Sequence, residues 1–242
     1  MTIAAALPTR RDEAFRYADL DALAPLWPVV PEVIHIAAGE EAARAMILEP
    51  GVRDLEVVLG DGARFDLRVL AASGGYGRIA VTATLGKGAE FTFGAAQVAG
   101  SEQTLEVVTE VRHTAPDAVS RQVIRSVAAG HATVNYLGKV EVARGADGTD
   151  GEQSVRAMLL DRTATANARP ELEIYADDVK CAHGCAVGEL DATGLFYLQS
   201  RGLPPATAKR LMLQAFLAEA FVGADDAEML TEAAIKALEA VL

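Results

Sequence analysis

Aromatic side chains are scarce. Phe, Trp and Tyr make up 5% of the 242 residues, too few to furnish the ring-lined groove that carbohydrate-active sites favour. Basic residues are also short: 22 Lys and Arg stand against 34 Asp and Glu, for a net charge of −12. Phosphate backbones are held by Lys and Arg, so nucleic acid is excluded as a partner, and an anionic membrane surface is disfavoured. No apolar run reaches the ~20 residues of a membrane-spanning helix. The opening M-T-I-A-A-A-L-P-T-R-R has no basic stretch before a long apolar run, so it does not read as a secretory leader. A cytoplasmic location is expected. With only two cysteines there is no disulfide framework. In that compartment, thiols bind metal, react or stay free more often than they form structural bridges.

What is present is a core. The chain is 51% hydrophobic and 23% charged, a globular balance, and Gly, Ala and Val suit closely stacked layers. Three zones follow, with predicted bounds 1–30, 31–187 and 188–242. The first carries a helical pattern from Arg10 to Leu23, closed by Pro25 and Pro28. The second reads as short strands separated by Gly, Asp, Asn or Pro, with a brief helix predicted over Glu40 to Leu48. Its strand-like runs begin at Leu55–Leu59 and end at Val179–His183. The third is helical. Asp191 caps one predicted helix, a second runs from Pro205 to Phe221, and Asp225 with Glu228 resembles the reciprocal cap of a third. Met212, Phe216 and Ala220 form a stripe on the second helix that either packs internally or receives a partner.

An internal repeat narrows the architecture. Residues 59–67 read L-G-D-G-A-R-F-D-L and residues 85–93 read L-G-K-G-A-E-F-T-F, an offset of 26 residues. A fixed period of 20–50 residues marks stacked repeats. A β-solenoid is therefore favoured over a sandwich, and Phe65 is expected near Phe91 on adjacent coils.

Several motifs carry little. Gly75, Gly77 and Ala80 match a dinucleotide fingerprint, but V-T-A-T-L follows where a helix must start. Ser73 lacks the first Gly of a nucleophile elbow. Asp147 and Asp150 read as a Gly/Asp turn rather than a calcium loop. Asp177 and Asp178 are adjacent, so on a strand they face opposite ways. His35 and His131 read as structural, and His113 has no evident partner in the sequence.

Cys181, His183 and Cys185 form the strongest constellation. Residues spaced by two share one face of a strand. Two thiols and an imidazole are soft and borderline donors for zinc, copper or iron, and a fourth ligand would come from elsewhere. The bland alternative is a strand carrying two small apolar thiols and a hydrogen-bonded histidine.

P-E-L-E-I-Y-A-D-D-V-K-C-A-H-G at 170–184, followed by L-F-Y-L-Q-S-R-G-L, resembles the SufB/SufD family of iron–sulfur cluster assembly proteins, on the SufD side. The resemblance continues in H-T-A-P-D-A-V-S-R-Q (113–122), L-G-K-V-E-V (137–142), Q-S-V-R-A-M-L-L-D (153–161) and A-K-R-L-M-L-Q-A-F-L-A-E-A (208–220). R-R-D-E-A-F-R-Y-A-D-L resembles the family's opening motif, with Phe15 where Trp is usual. It implies a mainly β protein: a right-handed parallel β-helix, a short N-terminal helical segment, and a C-terminal helical domain that docks the ATPase SufC through Met212 and Phe216. It further implies pairing with a SufB-like paralogue, or with a second copy when isolated.

By this resemblance His183 and Cys181 align with the residues that contact iron or a nascent iron–sulfur cluster at a subunit interface, with none expected in the isolated chain. Cys185 stands where Ala is usual and inherits no role. A non-enzymatic scaffold subunit is the expected function. The alternatives are a carbohydrate-active β-solenoid using Asp177 or Asp178, and an adaptor of the ATPase that never touches metal.

Overall fold

The computed structural model describes residues 6–72 and 74–242. Ser73 and residues 1–5 of the N-terminal stretch lie outside the described residues. Strands follow in chain order: β1 (Glu32–Ile36), β2 (Glu41–Leu48), β3 (Gly51–Leu59), β4 (Arg64–Ala71), β5 (Tyr76–Leu85), β6 (Glu90–Ala99), β7 (Thr104–His113), β8 (Val119–Ala128), β9 (Thr133–Val142), β10 (Asp150–Leu159), β11 (Thr165–Ile174) and β12 (Lys180–Gly188). They alternate between two parallel six-stranded sheets, ordered β1-β3-β5-β7-β9-β11 and β12-β10-β8-β6-β4-β2. Each coil contributes one strand to each sheet. This is a parallel β-helix, as the repeat predicts.

The repeat has a mechanical basis. Leu59 pairs with Leu85, and Phe65 with Phe91, in neighbouring coils. The two rings stack with centroids 6.2 Å apart. Ala63 and Ala89 are buried in the corner between sheets. The first glycine of each G-x-G makes room: a Cβ on Gly60 would lie 2.7 Å from the Ala38 nitrogen of the coil below. The second turns the chain, Gly62 at φ +68° and Gly88 at φ +63°, where other residues pay a steric penalty. Inward side chains from Ile36 to Ala164 then form one continuous apolar column.

Two local expectations are corrected. Residues 41–48, where a helix over 40–48 is expected, form β2. Met46 packs on the inner column and Ala45 on the helices outside, an alternation only a strand gives, and pairing with β4 along eight positions outweighs the helix propensity of A-A-R-A-M-I-L. Residues 10–23 do not form one helix either. Short 3-10 turns at Glu13–Phe15 and Ala24–Leu26 flank a four-residue helix, α1 (Leu20–Leu23).

The cause lies in the sheet beneath, which takes the backbone groups a helix would use. Arg78 donates to the Ala14 carbonyl at 2.8 Å, Glu106 accepts from the Asp19 N–H at 3.0 Å, and Asn135 donates to the Tyr17 carbonyl at 2.9 Å. Arg78 and Glu106 also pair with each other, 2% and 0% exposed, and Arg78 lies over the Phe15 ring at 4.3 Å. The segment is thus a strap across the outer face of the odd-numbered sheet.

Three helices follow β12: α2 (Ala192–Ser200), α3 (Pro205–Ala218) and α4 (Ala227–Glu239). Asp191 caps α2 through the Thr193 and Gly194 N–H groups. Asp226 occupies the N-cap of α4 without a side-chain bond, so the expected Asp225/Glu228 reciprocal cap is not made. Leu213, Phe216 and Leu217 of α3, with Leu230, Ala234 and Leu238 of α4, cover Leu70, Ala96, Val98 and Val127 on the outer face of the even-numbered sheet. Arg68 donates to the Ala220 carbonyl at 2.8 Å. Gly94 permits this approach, since a Cβ there would lie 1.9 Å from that carbonyl oxygen.

Candidate functional site at the end of the solenoid

β12 is the last strand of the even-numbered sheet and has a neighbour on one side only. Its register with β10 sets Cys181 on Gly151, His183 on Gln153 and Cys185 on Val155. Gln153 and Val155 are buried, and Cys181 packs against the inner column. All three side chains therefore sit on the inward face of the final coil, as their spacing predicts. Gly151 lies directly under Cys181, whose Sγ would be in ordinary contact, at 3.5 Å, with a Cβ placed there. With no further coil above among the described residues, His183 and Cys185 stay exposed and Cys181 half-buried.

Sharing a face is not sharing an ion. A strand rises about 3.3 Å per residue, so Cys181 and Cys185 are separated by roughly 13 Å along it. Among the described residues, no three His, Cys, Asp or Glu side chains converge to hold a metal ion. The donor set fits iron in type, but this chain offers only part of a coordination sphere. Both thiols are free. Burial pushes each above the usual cysteine range, and the neighbouring Asp150 charge adds to this for Cys181. They are therefore protonated at neutral pH and must release a proton to any metal they ligate.

The two ends of the solenoid are finished differently. At the first end an inward-facing pair, Arg44 to Glu32 at 2.5 Å, blocks stacking with charge, a common protection of sheet edges. At the last end the inward residues of β11 and β12 include no carboxylate, ammonium or guanidinium group.

The two free edges there also differ. In a parallel ladder alternate residues turn their N–H and C=O to opposite sides. Thr165 and Tyr175 bond towards β9, so Pro170 of β11 faces the free edge, where it has no N–H to give. Lys180 bonds towards β10. The free edge of β12 consequently presents the N–H and C=O of Cys181, His183, Cys185 and Val187.

Other expected residues lie elsewhere. Phe216 is 5% exposed inside the chain's own helix–sheet core, with the Arg125 guanidinium 5.9 Å from its ring centroid, and Met212 is half-buried beside Gly194. Phe216 and Ala220 of the expected stripe thus pack internally, because α3 lies flat on the even-numbered sheet. The exposed aromatics of this region are Phe196 and Tyr197 on α2, 71% and 56% exposed. Asp177 and Asp178 lie in the turn between β11 and β12. His35 and His131 are at the surface, so neither holds a buried structural role. His113 does have a partner: its Nε2 lies 2.9 Å from the Ser120 Oγ inside the column.

Sequence reading missed a set of buried polar residues beneath the site: Thr109, Gln122, Tyr136 and Gln153. Their one signal is a polar residue at the inward parity of an otherwise apolar strand. That parity becomes readable once the coil register is known.

The model of the SUF system FeS cluster assembly, SufBD core domain matches residues 51–216. The chain is 39% identical over 122 residues to Protein ABCI7, chloroplastic, of Arabidopsis thaliana, covering 49% of this chain and 25% of that protein. It is 39% identical over 100 residues to the iron–sulfur cluster assembly protein SufD of Escherichia coli K12, covering 41% and 24%. With SufD of Bacillus subtilis it shares 42% identity over 84 residues, 35% of this chain and 19% of that one. The chain thus spans a quarter or less of the length of these relatives.

Proposed function

The chain belongs to the SufBD core family of iron–sulfur cluster assembly proteins, and on that premise we propose that it is a non-enzymatic scaffold subunit that pairs through β12 with a SufB-like paralogue. The observation that carries the reading is the free edge of β12. It offers four alternate backbone positions with no proline among them, on the very strand that holds Cys181, His183 and Cys185. A partner strand added there brings its own side chains beside His183 and Cys181 and completes a coordination sphere that is partial in this chain. The polar end of the inner column gives such a pairing its register.

The chemistry is passive. Neutral imidazole and thiolate suit iron and nascent clusters, which are the cargo of the assembly. His183 supplies a nitrogen lone pair; Cys181 supplies sulfur after losing its proton. A SufC-like ATPase docks on the C-terminal helices, and the exposed Phe196 and Tyr197 replace Met212 and Phe216 as its proposed anchors. Such anchors dominate interface energies when they fill a pocket.

A second reading, an adaptor that contacts the ATPase and no metal, is favoured by the absence of three converging donors among the described residues. One experiment separates the two. The chain is co-expressed with SufB- and SufC-like partners and purified anaerobically, as wild type and as His183→Ala. The scaffold reading expects intact complexes from both, with iron and acid-labile sulfide lost from the variant. Equal iron and sulfide in both supports the adaptor.

A further inference from the structure

The polar residues beneath the site have a direction. Thr109, Gln122, Tyr136 and Gln153 all point into the column and are buried. The Thr109 Oγ1 donates to the Gln122 Oε1 at 2.7 Å, and the Tyr136 Oη donates to the same oxygen at 3.3 Å. The Gln153 Nε2 donates to the Tyr136 Oη at 3.1 Å. Tyrosine has a single proton, and the Gln122 Oε1 and the Thr109 Oγ1, the latter 3.1 Å away, both compete for it. Gln153 must therefore turn its NH2 towards Tyr136 and its oxygen away.

The arrangement is built rather than incidental. A Cβ at position 138 would lie 2.0 Å from the Tyr136 Oη and 2.7 Å from the Gln153 Nε2; Gly138 leaves the space in which the two meet. The Gln153 Oε1 is left fully buried with no hydrogen-bond partner. A native structure rarely leaves a buried acceptor orphaned without a use for it.

One coil further on, in register and on the same face, stands His183. A ligating histidine commonly donates its second ring N–H to an acceptor behind it, which fixes the tautomer and the ring orientation. We propose that Gln153 is the positioning residue of His183: the two are not bonded as the ring now stands, but an inward turn of the imidazole lets the Gln153 Oε1 accept its N–H and leaves the other ring nitrogen bare towards the open end of the solenoid. The inference rests on the reading of His183 as a ligand and names the residue that prepares it. Its competitor is a water bridging the Gln153 Oε1 to the Gln122 Nε2, which is likewise orphaned.

The test needs neither iron nor partners. Long-range nitrogen–proton correlation spectra of the 15N-labelled, metal-free chain are recorded at about pH 8, where an ordinary imidazole is neutral. They report which nitrogen of each ring carries the proton. His183 is assigned by its loss in His183→Ala, and the exposed His35 and His131 serve as internal references. One tautomer of His183 is expected to dominate in the wild type. In Gln153→Leu and Gln153→Met, its ratio should relax to that of the two references. A wild-type His183 with the reference ratio overturns the proposal and assigns the Gln153 oxygen to water. So does a ratio that both substitutions leave unchanged. The Met variant keeps the side-chain length should Leu fold poorly, and the wild-type comparison stands without either. If the tautomer is set by Gln153 but His183→Ala complexes still load iron and sulfide, the contact holds and the ligand reading is the one that fails.

Discussion

Acidification should destabilise this protein through one buried histidine well before its carboxylates titrate. His113 is fully buried on the inner column. Its Nε2 meets the Ser120 hydroxyl at 2.9 Å, while its Nδ1 has no hydrogen-bond partner. Burial disfavours the imidazolium and pushes the pKa down to about 4; the nearby Ala118 backbone and Asp150 charge offset this only in part. In the unfolded chain the same ring titrates at ~6.5. Below that pH the unfolded state takes up a proton that the folded state refuses, so stability falls with pH between about 6.5 and 4 and levels off below. Between pH 7 and pH 5 the linkage integral gives a loss of about 2 kcal/mol, a large share of a typical domain's 5–15 kcal/mol. The assay is urea unfolding at pH 7, 6 and 5, on the wild type and on His113→Gln, which keeps a hydrogen-bonding group for Ser120 and cannot titrate there. The wild type should lose about 2 kcal/mol more than the variant across this range. Equal slopes in the two proteins, or a His113 ring signal titrating near 6.5 in the native state, would refute the reasoning.

Removing one partner of a buried ion pair strands the other. Glu106→Ala should therefore cost about 3–5 kcal/mol, free the strap that Arg78 and Glu106 hold, and accelerate tryptic cleavage at Arg16; unchanged cleavage would place the anchorage elsewhere. The helices offer a contrast. Phe216→Ala empties the chain's own core and should lower stability by about 3–5 kcal/mol, whereas Phe196→Ala should leave urea unfolding within about 0.5 kcal/mol yet weaken ATPase capture by more than about 1 kcal/mol. The opposite assignment would return the docking role to α3.

The parts of this fold that were legible are those where a local rule and the global stack agree. The L-G-x-G-A-x-F repeat encodes a corner: one glycine for close approach, one for positive φ, an alanine for the bend, and an aromatic for the stack. Each is a residue-level necessity, so the period survives in a single sequence. The stretch 40–48 was illegible for the complementary reason. A-A-R-A-M-I-L has helix propensity, and only the waiting edge of β4 makes it a strand. Similarly, the strap looks helical until Arg78, Glu106 and Asn135 claim its backbone groups, from positions 64 to 118 residues away.

The site divides along the same line. That Cys181, His183 and Cys185 share a face is a property of spacing and could be read directly. That they cannot share one ion is also a matter of spacing, because a strand separates the thiols by about 13 Å. What no spacing reveals is the sidedness of the edge. Pro170 removes a donor from the middle of the free side of β11 only because Thr165 and Tyr175 bond inwards, and His183 turns its own N–H outwards only because Lys180 bonds inwards on β12. The inward charge pair Arg44–Glu32 closes the opposite end. Parity thus leaves the free edge of β12 uninterrupted and that of β11 broken at Pro170. The β12 edge runs along Cys181, His183 and Cys185, so under the proposed function covering it and completing their coordination would be a single event. A scaffold built this way would hold its cargo only when assembled, with no separate device to prevent premature loading.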